Sequence, residues 1–285
     1  MKDMNKKRIS EFKEYLTSEE KAHSTVRKYV REAERLVEWL EKKRGKKHED
    51  TVEKKDLMEY KAFISRSHAP TSVNAALASI NSFFEFCGRN ELKVKNVRIQ
   101  RQVFAQHEKE ITLEEYRRLL ITAQNQGNDR LYYLMQTLCS TGMRVSELKY
   151  VTVDSIRKGY AEIDCKSKHR IVFIPDNLCE MLRRYVREKG IEQGPVFITA
   201  GGVAMDRSNI WAGMKGLCRE AGVEKEKVYP HNLRHLFART FYGKQKDIVR
   251  LADILGHSSV NTTRVYTIES GDEHRRQIQD LGLIY

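Results

Sequence analysis

The chain has 285 residues, of which 52 are Lys or Arg and 39 are Asp or Glu, giving a net charge of +13. That surplus is seven in residues 1–100 and six in the remainder, so both halves favour a polyanionic partner, nucleic acid or an anionic membrane surface. No apolar run approaches the ~20 residues of a membrane span, the charged start Met1–Arg8 lacks the apolar core of a signal peptide, and Cys87, Cys139, Cys165, Cys179 and Cys218 are scattered without a CxxC pair, which excludes the usual disulfide framework and zinc site.

These features predict a cytoplasmic nucleic-acid binder, with no membrane partner. The basic helices do not carry Trp and Phe on one face, as a membrane-surface helix would.

Residues 1–95 read as four amphipathic helices. Ile9, Phe12 and Leu16 mark the first apolar stripe. The second opens after Ser24 and carries Val26, Tyr29, Val30, Ala33, Val37 and Leu40 at helical spacing. The third follows Thr51, with Leu57, Tyr60 and Ile64 inward. The fourth follows Pro70, carries Val73, Ala76, Leu77, Ile80, Phe83, Phe84 and Cys87, and stops at Gly88. Four such helices predict a small bundle. Residues 96–109 read as a basic linker.

From residue 110 the pattern changes. Thr112 with Glu115 is a capping box that opens a helix. A helix from about Asp129 ends at Ser140-Thr141-Gly142, and Met143-Arg144-Val145-Ser146-Glu147-Leu148 starts another. Tyr160–Asp164 and Arg170–Ile174 alternate as a β-hairpin around Cys165-Lys166-Ser167-Lys168. Asn177–Lys189 reads as a helix, and Pro195–Ile198 as a short third strand. Further helices are expected at about 208–220, 231–242, 246–255, 259–265 and 274–281. The fold class is therefore mainly α: a four-helix N-terminal domain, then a mixed α domain with a small antiparallel β-hairpin.

Singly, the polar residues of the second half have ordinary structural meanings. Arg144 follows a turn glycine at a helix start, where backbone N–H groups and a forked donor suit a phosphate. Lys166 stands at the hairpin tip beside Lys168, His169 and Arg170, a site that is more often a solvated basic turn. His231 and Arg234 are three apart and share a helix face, suited to an anionic oxygen. His235 neighbours Arg234, points elsewhere and reads as structural. His257 follows a glycine at a helix end, and Tyr266 is one of 13 tyrosines.

Together they are specific. Thr141-Gly142-Met143-Arg144-Val145-Ser146-Glu147-Leu148, Lys166, His231-Asn232-Leu233-Arg234-His235, Leu255-Gly256-His257-Ser258-Ser259 and Thr262-Thr263-Arg264-Val265-Tyr266 occur in an order that resembles the tyrosine recombinase, or phage integrase, family. The resemblance is dense over 109–285, while 1–95 is similar to the family's core-binding, SAM-like domain in size and helix pattern. It implies a two-domain, Xer-like member: 1–95 binding core DNA, 96–109 linking, 110–285 catalytic with a C-terminal helix. Arg144 and Arg234 would then clamp the scissile phosphate, His231 and His257 would be the histidines of the second and third boxes, and Tyr266 the nucleophile. Glu147 would support the site. Lys166 would protonate the leaving oxygen, with Lys168 the alternative, because this hairpin turn lacks the glycines of the Xer-like pattern.

The chemistry is intelligible from the residues alone. Two forked guanidinium groups stabilise charge developing on the non-bridging oxygens during in-line attack. A phenol with a pKa near 10 needs a base or a positive field to lose its proton, and a poor 5′-oxygen leaving group needs a proton donor, typically worth ~10²–10⁴ in rate. A tyrosyl-phosphate bond conserves the energy of the broken one, so no cofactor, ATP or metal is expected, in line with a sequence lacking a P-loop.

The resemblance further implies a 3′-phosphotyrosyl intermediate, a Holliday junction, and a homotetramer on two DNA recombination sites in which the C-terminal helix contacts a neighbouring protomer. Accessory DNA-bending proteins are a further possible partner. The role would be integration or excision of a mobile element, or Xer-like resolution; a start directly at the four-helix domain leaves no room for an arm-binding domain. Two alternatives share the scaffold: a type IB topoisomerase-like nicking and closing enzyme, and a non-catalytic DNA-binding protein.

Overall fold

The computed structural model describes residues 6–44, 52–99, 109–165, 168–266, 275–276 and 278–283. The chain divides into two units, residues 1–101 and 102–285.

In the first unit, α1 (Lys6–Ser18), α2 (His23–Arg44), α3 (Lys54–Ser65) and α4 (Pro70–Phe86) form around one apolar core. Each helix turns a 3.6-residue stripe inward: Phe12 and Leu16 from α1, Ala33, Leu36 and Leu40 from α2, Leu57 and Tyr60 from α3, Leu77, Ile80, Phe83 and Phe84 from α4. Removing each such Leu or Phe from water is worth about 1.5–3 kcal/mol. The Phe12 and Phe83 rings meet edge to face at 5.1 Å. Pro70 occupies the first turn of α4, where its missing N–H is no loss, and Gly88 supplies the left-handed residue just beyond its end.

After α4 the chain stays fastened to the bundle as far as Val97. Asn81 brackets Val94, accepting from its N–H at 3.0 Å and donating to its carbonyl at 2.9 Å. Asn74 brackets Val97 in the same way, at 2.7 and 2.9 Å. Of the basic linker expected over 96–109, residues 100–108 lie outside the described residues.

The second unit runs α5 (Leu113–Asn125), α6 (Asp129–Thr141), a 3₁₀ segment Val145–Tyr150, α7 (Val153–Lys158), β1 (Tyr160–Cys165), β2 (Lys168–Phe173), α8 (Asp176–Glu188), α9 (Arg207–Ala221), α10 (Pro230–Gln245), α11 (Ile248–Leu255), α12 (Val260–Thr263) and a 3₁₀ turn Arg264–Tyr266. The Thr112–Glu115 capping box is formed: the Thr112 hydroxyl accepts from the Glu115 N–H at 3.1 Å, and the Glu115 carboxylate from the Thr112 N–H at 2.8 Å. α10 packs on α6, with Leu233 and Leu236 in the main core. Asn232 is buried and donates to the carbonyl oxygens of Lys109 and Lys227, which pins the entry of α10. β1 and β2 pair antiparallel, Tyr160 opposite Phe173 and Ile163 opposite Arg170. The period-2 alternation buries Ala161, Ile163 and Val172 and exposes Ile171 and Phe173.

Four details differ from the sequence-based expectations. Pro195–Ile198 is not a third strand; it makes isolated bridges, Thr152 with Pro195 and Ile198 with Ala204, since Pro195 has no N–H to extend a ladder. The segment after Met143 is a 3₁₀ rather than an α-helix. α7 was not expected; it opens with a Thr152–Ser155 capping box. The helix predicted at 259–265 is the short α12 followed by the 3₁₀ turn. The one expected at 274–281 falls partly outside the described residues, and of those described there, Ile278 and Leu281 are exposed.

Candidate active site

α6 ends at Gly142, whose left-handed backbone (φ 62°) lets its N–H return to the Leu138 carbonyl. The position also demands glycine sterically, because a Cβ there would lie 2.4 Å from Cδ1 of Phe237. The turn delivers Arg144 to the start of the 3₁₀ segment. Glu147, only 4% exposed, holds it: the carboxylate accepts from the Arg144 N–H at 2.7 Å and from its Nη1 at 3.0 Å. Arg170 on β2 donates to the same carboxylate at 2.6 Å. Burial pushes the Glu147 carboxyl up, but the Arg144 N–H and the Arg170 charge outweigh it and hold it below the usual carboxylate range.

Arg234, on α10, is 2% exposed. Its Nη1 donates to the Gly142 carbonyl at 2.6 Å and its Nη2 to the Leu255 carbonyl at 2.8 Å. Both acceptors are helix-end carbonyls that would otherwise be orphaned, so the guanidinium ties the ends of α6 and α11 together. Nη2 also lies 3.0 Å from Nε2 of His257. A guanidinium can only donate, so Nε2 accepts; Nδ1 then carries the proton and donates to the Thr263 hydroxyl at 2.8 Å. A neutral His257 agrees with its pKa, pushed down to about 4 by burial and by the nearby charges of Arg234, Arg144 and Arg170.

Tyr266 closes the cluster. It is 7% exposed, and its ring stacks on His257 with centroids 5.9 Å apart. His235 meets Tyr266 edge-on at 4.6 Å and His231 edge-on at 4.7 Å. His231 keeps an exposed edge, yet its pKa is also pushed down to about 4, by burial first and then by His235, Arg234, Arg144 and Arg207. Five of the six expected site residues (Arg144, His231, Arg234, His257 and Tyr266) thus stand around one point. The sixth, Lys166, lies outside the described residues, as does the side chain of Lys168.

Two further residues belong to the neighbourhood. His235, which the sequence suggests is structural, stands between His231 and Tyr266, with Glu110 3.8 Å from its Nδ1. Glu110 in turn pairs with Arg239. Arg170 escapes the sequence reading as one more charge near the hairpin tip, although it shares strand parity with the apolar Val172. Among the described residues no cluster of His, Cys, Asp and Glu could hold a metal ion. What the arrangement offers is two guanidinium groups, two neutral imidazoles and a phenol. That set suits an anionic tetrahedral group such as a phosphate.

Comparisons with known proteins agree with this chemistry. Residues 109–272 match the family model described as phage integrase family, and residues 9–91 match the phage integrase N-terminal SAM-like domain. The chain is 26% identical over 260 residues to tyrosine recombinase XerD of Listeria innocua, covering 86% of this chain and 87% of that protein. It is 28% identical over 283 residues to tyrosine recombinase XerA of Thermococcus kodakarensis, covering 95% and 94%. Its fold resembles that of a lambda integrase tetramer bound to a Holliday junction, with a TM-score of 0.69 at 17% identity over 91% of this chain and 76% of that one.

Proposed function

The chain belongs to the phage integrase family, and from that premise we propose that it is a site-specific DNA recombinase acting through a 3′-phosphotyrosyl intermediate. The observation that carries this reading is the clustering of Arg144, Arg234, His231 and His257 with the Tyr266 phenol. The Tyr266 oxygen attacks the scissile phosphorus; a bond to tyrosine forms as the bond to the 5′ oxygen breaks. The non-bridging oxygens gain charge, which Arg144 and Arg234 stabilise. The neutral imidazole of His231 accepts the phenolic proton. Lys166 returns a proton to the departing 5′ oxygen. Attack by a second strand's 5′ hydroxyl reverses the sequence and frees Tyr266, so no strand end is lost.

The basic surplus of both halves supports two domains acting on one duplex. The likeness to an integrase tetramer on a Holliday junction supports assembly of four copies on two sites. In that assembly the segment bearing the exposed Ile278, Leu281 and Leu283 supplies the contact to a neighbouring protomer. Among the described residues no helix is long and apolar enough to cross a membrane; on the recombinase reading the chain works in the cytoplasm, serving a mobile element or chromosome resolution.

The test uses nicked duplexes built from the DNA flanking the gene. A covalent protein–DNA adduct and recombinant products from paired sites support the proposal. Relaxation of any supercoiled plasmid without site preference and without recombinants would instead make it a nicking and closing enzyme. DNA binding with no adduct on any substrate would make it a non-catalytic binder.

A further inference from the structure

Among the described side chains, the buried face of the β-hairpin carries one charged residue where its pattern calls for an apolar one. Arg170 lies opposite Ile163 and shares parity with the buried Val172, and its side chain is only 15% exposed. Two segments far from it in sequence, the 3₁₀ segment and the end of α11, converge on its guanidinium. Nη2 donates to Glu147 at 2.6 Å, the carboxylate that also holds the backbone and side chain of Arg144. Nη1 donates at 2.7 Å to the carbonyl of Ile254 near the end of α11, just before His257. Gly256 makes room for it: a Cβ there would lie 2.6 Å from Cδ of Arg170.

Nε of Arg170 is buried without a hydrogen-bond partner among the described residues. An unpaired buried donor is costly, so a plain core role would be better served by an aliphatic side chain. Glu147 alone cannot keep Arg144 in place, because a buried carboxylate needs a compensating charge to stay ionised. Arg144 is itself half exposed and shares its own charge with solvent. Arg170 is the inner charge that keeps the carboxylate an acceptor.

We propose that Arg170 is a positioning residue of the phosphate clamp: through Glu147 it fixes Arg144, and through the Ile254 carbonyl it fixes the turn that presents His257. It touches no reacting atom. The proposal rests on the recombinase reading of the same site and goes beyond it by naming a residue through which the first arginine is aimed.

The experiment is single-turnover cleavage of a nicked duplex by the full-length chain, with three scissile linkages. One is the ordinary phosphodiester. The second is a methylphosphonate, which removes the negative charge that a clamp must neutralise. The third is a 5′-bridging phosphorothiolate, whose thiolate leaves without needing a proton. Arg170→Gln is expected to cleave the ordinary linkage about 10- to 100-fold more slowly while DNA affinity holds within about threefold. Its deficit narrows on the methylphosphonate, as that of Arg144→Ala does, and persists on the phosphorothiolate. Arg170→Lys, which keeps the charge but not the fork, falls between wild type and Arg170→Gln.

An equal deficit on all three linkages would overturn the proposal, since it would mark a purely structural role. So would rescue by the phosphorothiolate alone, which would place the effect on leaving-group protonation, and so would the absence of any deficit. If Arg170→Gln fails to give a cooperative thermal melt, the same three-linkage comparison is read on Arg170→Lys. Failure of the wild-type chain to form any adduct counts against the recombinase reading rather than against Arg170.

Discussion

The Arg234 guanidinium donates to the Gly142 carbonyl at 2.6 Å across 92 residues of sequence. That bond joins α10 to the turn from which Arg144 departs. Arg144 and Arg234 are therefore not independent: one holds the backbone that launches the other. The second arm of Arg234 reaches the Leu255 carbonyl and His257, so one side chain spaces three of the sequence boxes.

Replacing Arg234 by lysine keeps the charge and loses the fork. A single ammonium cannot satisfy both helix-end carbonyls and His257 together. Arg234→Lys is expected to lower the single-turnover cleavage rate by about 10²-fold or more. Each buried carbonyl left unpaired should cost roughly 1–3 kcal/mol, visible as a lower denaturant midpoint, while DNA binding is largely kept. Wild-type cleavage in this variant would contradict the arrangement.

Gly142→Ala tests the turn. Alanine meets both an unfavourable backbone at φ 62° and the Phe237 ring. The expected destabilisation is about 2 kcal/mol or more, and because the Gly142 carbonyl moves with the backbone, cleavage should fall as well. The comparison variant is Gly159→Ala. Gly159 also has a positive φ but no atom within 4 Å of a Cβ, so it should lose some stability and no activity beyond that.

The histidines predict a pH dependence of fixed sign. His231 and His257 hold pKa values near 4 in the folded chain, against about 6.5 when unfolded. The unfolded state therefore binds more protons between these values, so stability falls as pH drops from about 6.5 toward 4 and is flat with respect to these groups above that window. A bound phosphate adds negative charge beside both rings and raises their pKa, so DNA binding near pH 5.5 should take up protons and tighten relative to pH 7.5. Urea titrations and buffer-dependent calorimetry measure the two effects. His257→Asn should flatten the stability profile; an unchanged profile would show that His257 is not held neutral.

Much of this was legible in the sequence, for physical reasons that differ by element. The four N-terminal helices announce themselves because each buries a stripe at helical spacing, as Phe12 and Leu16 or Ile80, Phe83 and Phe84 do. The box residues were readable because their chemistry is rare in combination. What escaped depends on contacts between segments distant in sequence. His235 looked structural because a neighbour of Arg234 on a helix should point away, yet Tyr266 arrives from the chain's end to meet its ring. Arg170 was hidden by its basic neighbours; only its shared parity with Val172 signals that it points inward. Pro195–Ile198 looked like a strand from composition, but one proline limits it to isolated bridges.

Peptide mapping of the trapped adduct tests whether Tyr266 is the nucleophile that joins the DNA. A nicked duplex incubated with the chain is digested with protease and nuclease, and the peptide bearing a 3′-linked nucleotide is sequenced by mass spectrometry. The peptide is expected to contain Tyr266 as its modified residue, and Tyr266→Phe to bind DNA yet yield no adduct. A nucleotide attached to any other residue, or an adduct that persists in Tyr266→Phe, would contradict it.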